Sequence, residues 1–159
     1  MDTRIPKIAI QYRGMVIENV LIDGGAGVNI VTKTNCEKFG WQDWLLVPFL
    51  VRMADQWRVR PLGILRNIFL DIGGISFSMA FVVLSMEDTL EEYNIILGRP
   101  WLRQAKVRHD WAANQLTIRR GRRKVKIPLK EKARLNNAVW PAIAETVNMT
   151  EGLDEDEEE

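Results

Sequence analysis

Two runs of ten residues, Gly63 to Ile72 and Ile75 to Leu84, are joined by nothing but Gly73-Gly74, and this constrains the chain more than any other feature. A two-residue link that accepts positive φ at both positions predicts a tight β-hairpin between two long apolar-rich strands. From Lys7 onward the same writing recurs as short β-branched and aromatic runs divided by glycine-containing turns. That is the pattern of an all-β domain, not of βαβ units. Lys7 to Tyr12 and Met15 to Ile22 read as a hairpin around Arg13-Gly14, whose second strand runs directly into Asp23-Gly24-Gly25. Pro48 to Met53 and Arg58 to Pro61 read as the arms of a projecting hairpin with the polar tip Ala54-Asp55-Gln56-Trp57. Glu87 to Tyr93 is expected to be a polar loop, Ile95-Ile96-Leu97 a buried strand, and Val107 to Asp110, Gln115 to Arg119 and Lys124 to Pro128 the last strands. Thr34 followed by Glu37 resembles a capping box, and with Gly40 beyond it predicts one helix over Lys33 to Phe39. Pro100 to Gln104 predicts a second short helical turn with proline near its start.

At 159 residues, 47% of them hydrophobic, the chain supports one core of ordinary size. The expected organisation is an N-terminal arm at 1–6, one domain at 7–129, a C-terminal extension at 130–150 and a disordered acidic tail at 151–159. A single cysteine, Cys36, excludes an intramolecular disulfide and a cysteine zinc cluster. The start, Met1 to Pro6, lacks an apolar signal core, and no apolar run reaches membrane-spanning length, so the chain reads as soluble, intracellular and cytoplasmic. No metal and no cofactor is expected. His109 is the only histidine, so any nucleophile–histidine arrangement would rest on it alone, and a loop or strand-end histidine is the better reading. The glycines at 24, 25 and 27 fit neither phosphate-binding motif.

Charge is unevenly spread. Residues 103–134 carry twelve of the 22 Lys and Arg, and 151–159 carry seven of the 21 acids. The densest basic stretch, 119–126, reads first as a solvated hairpin beside the core. Nucleic-acid contact is the weaker reading, because the stretch lacks interleaved aromatic residues that would stack bases, and contact with the acidic tail is a third. The tryptophans, including Trp41, Trp44, Trp101 and Trp111, read as packing anchors, with Trp57 set apart as the one placed to touch a substrate.

The chemistry concentrates at Asp23. An aspartate closing the apolar run Val20-Leu21-Ile22 is expensive to bury unless backbone N–H groups or another charge meet it, and glycines after it remove the Cβ atoms that would block their approach. Two such carboxylates face to face share a proton, so the pair can serve as general base to a water and general acid to a leaving amide nitrogen. Ile22-Asp23-Gly24-Gly25-Ala26 resembles the Asp-Thr/Ser-Gly-Ala segment of retropepsin-like aspartic proteases, most closely in look those of plant Ty3/gypsy-type retrotransposons. Asn94 to Leu102 resembles the family's second block, the apolar-apolar-Gly segment and following helix, with Ile96, Leu97, Gly98 and Arg99 as the supporting loop. Ala54, Asp55, Gln56 and Trp57 fall where the family begins its substrate-covering flap.

The resemblance runs from about Lys7 to Leu129. It implies a closed, mainly antiparallel β-barrel with one or two short helices, and an endopeptidase that cuts peptide or polyprotein substrates as a homodimer with one Asp23 per subunit. Gly24 stands where the family has a hydroxyl that bonds across the dimer. The residues that would pair with the family's arginine are here Gly27 and Val28, which leaves Arg99 to find another partner or face solvent. A second implied reading keeps the fold as a dimerisation or peptide-binding module without catalysis.

Overall fold

The computed structural model describes residues 5–53, 58–85, 93, 95–132 and 145–148. Strands β1 (Ile5–Tyr12) and β2 (Met15–Ile22) form the first hairpin, and β3 (Ile30–Thr32) leads without a break into helix α1 (Lys33–Phe39). The arms β4 (Phe49–Arg52) and β5 (Arg58–Val59) precede the long hairpin β6 (Gly63–Ile72) and β7 (Ile75–Leu84). Then come β8 (Ile95–Leu97), helix α2 (Arg99–Gln104), β9 (Arg108–Asp110), β10 (Gln115–Arg120) and β11 (Arg123–Pro128). Two short strands follow in the C-terminal extension, β12 (Lys130–Lys132) against β1 and β13 (Glu145–Asn148) against β4.

The main sheet runs β12-β1-β2-β8-β3-β7-β6, and a further pairing of β1 with β6 at Gln11 and Asp71 closes six of these strands into a barrel. Closure needs curvature, and two bulges supply it. Ile8 faces Val20 while Ile10 faces Ile17, which leaves one extra residue in β2, where Asn19 sits at φ 55°. Leu65 faces Phe81 while Ile68 faces Met79, which leaves one extra in β6, where Asn67 sits at φ 58°. Asparagine tolerates this left-handed backbone better than most residues, and a bulge bends its strand. The tight turns form as expected, with Arg13 and Gly14 at φ 47° and 80°, and Gly73 and Gly74 at 61° and 83°.

The end of β2 (Val20 to Ile22), β8 and the Ile30-Val31 start of β3 read as apolar runs because they are buried on both faces. Val20, Ile22, Ile95, Leu97 and Val31 point into the barrel beside Phe77, Phe81 and Trp101. Leu21, Ile30 and Ile96 point the other way, where Val51 and Met53 at the end of the β4 arm complete a smaller cluster.

Two expectations change. The N-cap of α1 is Thr32, whose hydroxyl accepts the Asn35 N–H at 3.3 Å, so Thr34 lies inside the first turn and does not open a capping box. The extended backbone with which β3 ends at Thr32 already has the geometry of a cap. Gly40, at φ 75°, ends the helix as predicted. Trp41 and Trp101 are buried and Trp44 packs on the core, but Trp111 is 77% exposed and is not a packing anchor. The barrel is mainly antiparallel, as expected, and includes two parallel pairings, β2 with β8 and β3 with β7. The Glu87-to-Tyr93 loop lies outside the described residues except for Tyr93, which is buried.

Candidate active site

Asp23 is fixed by the strand that precedes it. Val20, Leu21 and Ile22 pair in register with Ile95, Ile96 and Leu97, and the ladder ends when the Asp23 N–H donates to Leu97 O at 3.0 Å. The chain then turns back over the end of β8. Its next strand lies on the opposite side of β8, with Ile30 against Ile96 and Val31 against Ile95, so the loop from Asp23 to Asn29 is strapped across a strand held on both edges.

Within the loop the Gly25 N–H donates to Asp23 Oδ1 at 2.8 Å and the Ala26 N–H to Asp23 O at 3.1 Å. Both bonds form only in a turn this tight, which is why an aspartate followed by small residues writes it. From the other side the Arg99 N–H donates to Ala26 O at 2.8 Å, and the Arg99 guanidinium donates to Gly24 O at 3.2 Å. Arg99, left without its family partner in sequence, thus braces the loop through a backbone carbonyl.

Gly98 shows how close the two segments lie. A Cβ on it would come within 2.5 Å of both Ala26 O and Val28 O, a distance that no side chain tolerates. Gly24 is the opposite case, because a Cβ there would meet only Leu102 Cδ1 at 3.9 Å and its backbone is outside the left-handed region.

Asp23 is half-buried. Its Oδ2 lies out of solvent and has no hydrogen-bond partner among the described residues, and burial raises its pKa to about 6, against the smaller opposing pulls of the Gly25 N–H and the Arg99 charge. A carboxyl in such a place keeps its proton at mildly acidic pH and can donate it.

The structure brings together Asp23, Gly24, Gly25 and Ala26 with Ile96, Leu97, Gly98 and Arg99. The tip residues Ala54, Asp55, Gln56 and Trp57 lie outside the described residues, although the arms flanking them are paired, Val51 with Val59 and Arg52 with Arg58. One residue of the site escaped sequence reasoning. Asn29, only 3% exposed, accepts the Gly98 N–H on its Oδ1 at 2.9 Å and donates from Nδ2 to Ala80 O at 3.1 Å, so it ties the loop to β8 and β7 at once. Its signal was an amide inside the apolar stretch Val28 to Val31. His109 stacks on Trp111 at 3.8 Å in β9, and buried Cys36 has its thiol pushed up to about 12, chiefly by burial. Among the described residues no cluster of His, Cys, Asp and Glu could hold a metal, and no helix is long and apolar enough to cross a membrane.

A solved structure with the same architecture is the retroviral protease-like domain of Ddi1 from Leishmania major, at a TM-score of 0.60 and 16% identity over 79% of this chain and 93% of that one. The fold is retropepsin-like. No protein-family model and no curated protein matches the sequence. The retropepsin-like barrel therefore rests on strand order, closure and this structural likeness, while the chemistry rests on the geometry around Asp23.

Proposed function

We propose that this chain is an aspartic endopeptidase of the retropepsin kind, acting as a homodimer to which each subunit gives one Asp23, and derived from a retroelement polyprotein of the plant Ty3/gypsy type. The observation that carries the reading is Asp23 Oδ2, a carboxylate oxygen withdrawn from water with no partner among the described residues. A buried polar atom left unmet is costly, and the Asp23 of a second copy is a group that would meet it. In such a pair one carboxylate takes a proton from water as the oxygen attacks the peptide carbonyl. The other gives its proton to the amide nitrogen as the C–N bond breaks.

The test is cleavage of a peptide library at mildly acidic pH by protein whose dimerisation is followed by sedimentation. Wild type should cut, pepstatin should inhibit, and Asp23→Asn should lose at least about 10³-fold of the rate, given the size of general acid–base contributions. Because the proton leaves the carboxyl near pH 6, activity should fall as pH rises through that value. Undiminished cleavage by Asp23→Asn would end the proposal.

Gly24 favours one alternative, a dimerising or peptide-binding module, since it brings no hydroxyl to link two such loops. A confirmed dimer that binds peptides without cutting them would decide for it.

A further inference from the structure

The C-terminal extension returns to the barrel twice. β12 lies along β1, with Lys130 opposite Lys7 and Lys132 opposite Ile5, and residues 133–144 then lead to β13. β13 lies antiparallel along β4, with Glu145 opposite Arg52, Thr146 opposite Val51, Val147 opposite Leu50 and Asn148 opposite Phe49. This second return turns the arm β4 into the middle strand of a three-stranded sheet, β13-β4-β5. It is also the longer of the two ladders on β4. β13 pairs with β4 over its whole length, whereas β5, the other arm of the projecting hairpin, meets it only at Val51 with Val59 and Arg52 with Arg58.

The position of β4 gives that ladder its meaning. Val51 and Met53 belong to the cluster that contains Ala26 of the Asp23 loop, and Phe49 and Val28 pack against the same cluster. One face of the arm is thus committed to the loop that carries the candidate carboxyl, which leaves the edges of β4 as its backbone-binding surfaces. One edge carries β5 and the other carries β13. Extended peptides bind a sheet by adding a strand to an edge, with main-chain hydrogen bonds supplying affinity. A covered edge takes up no strand.

We propose that β13 is an intramolecular stand-in for a bound peptide: it fills the edge of β4 to which an extended peptide adds, and a peptide gains that edge by displacing it. The inference rests on the peptide-binding part of the proposed function and holds whether or not the chain cuts what it binds. β13 suits the role because it is only four residues long and β4 is its one neighbour in the sheet, and a short ladder of this kind is marginal alone. Its tether compensates, since joining two binding segments through a short link gives the second a high effective concentration. The edge is therefore closed in the free chain and opens to a peptide that forms a longer or better ladder.

The test is the full chain carrying Thr146→Pro with Val147→Pro. Residues of an antiparallel strand alternate in bonding to their neighbour, so two adjacent prolines remove at least one ladder donor and leave the barrel strands untouched. The β4 amides that face β13 should exchange their hydrogens faster in this variant than in wild type. Fluorescence anisotropy at pH 7.5 then follows a labelled peptide that copies residues 143–150. An edge open about a tenth of the time lowers apparent affinity about ten-fold, so the variant should bind this peptide about ten-fold tighter than wild type or better. Cleavage of a peptide library should gain by a similar factor through KM, with kcat unchanged. Equal peptide affinity in the two proteins, or β4 amides that exchange no faster in the variant, overturns the proposal. Tighter peptide binding without cleavage by either protein supports it and ends the endopeptidase reading instead.

Discussion

The two sides of the Asp23 loop are built to different standards. Toward β8 and α2 it is packed so closely that Gly98 has no room for one carbon atom, and the polar groups between the two segments are paired through Asn29 and Arg99. Toward Gly24 the loop is open, and the Asp23 carboxyl keeps one oxygen unmet. Tolerances that tight are what a fold requires to place a group. An unmet buried oxygen beside open space is what the proposed pairing of two copies would satisfy.

The contrast can be broken most severely at Gly98. Gly98→Ala forces a Cβ onto two carbonyl oxygens of the 23–29 loop, so the fold should lose about 3 kcal/mol, read as a fall in the urea midpoint at constant slope. Asn29→Ala removes the acceptor of the Gly98 N–H and the donor to Ala80 O while opening only a small gap, and should lose about 2 kcal/mol by the same measurement.

Asp23→Asn should act with the opposite sign. The folded carboxyl keeps its proton to about pH 6 and an unfolded one releases it near 3.8, so ionisation weakens the fold progressively as pH rises between those values. After allowance for the solvent that still reaches the group, Asp23→Asn should be more stable than wild type by about 1 kcal/mol at pH 7.5. Dilute samples should show the gap closing by pH 4. A gap that persists at pH 4 would place its origin elsewhere than in the charge.

The smallest effect on stability belongs to Gly24→Thr, which should stay within about 0.5 kcal/mol of wild type because its Cβ meets only ordinary contact. Its value is in the other readout. If the missing hydroxyl limits the pair, Gly24→Thr should tighten the dimer in sedimentation and raise the cleavage rate, and loss of either would show that the open side is adapted to glycine.

What the sequence made legible was local. The Gly73-Gly74 hairpin, the Arg13-Gly14 turn and the span of α1 follow from residues within a few positions of one another, and all appear where expected. Asp23-Gly24-Gly25 and Ile96-Leu97-Gly98 could be paired only through their likeness to a known pattern, since nothing in either segment states that the other lies against it. Asn29 was illegible because its partners are at positions 80 and 98. The parallel pairings of β2 with β8 and of β3 with β7 were illegible for the same reason. The choice of Thr32 over Thr34 as the cap depended on where β3 stops, a boundary set by its pairing with Val82, Val83 and Leu84 on β7.

The strap across β8 also sets an order of events. The loop at 23–29 takes its shape from bonds to residues 97, 98 and 99, about seventy positions later, and contacts so distant in sequence form slowly. During synthesis, Asp23 leaves the ribosome long before the strand that will hold it, and until α2 has followed the carboxyl is an ordinary aspartate on a mobile chain. A truncated product ending before Ile95 would carry the whole acidic motif and none of its setting.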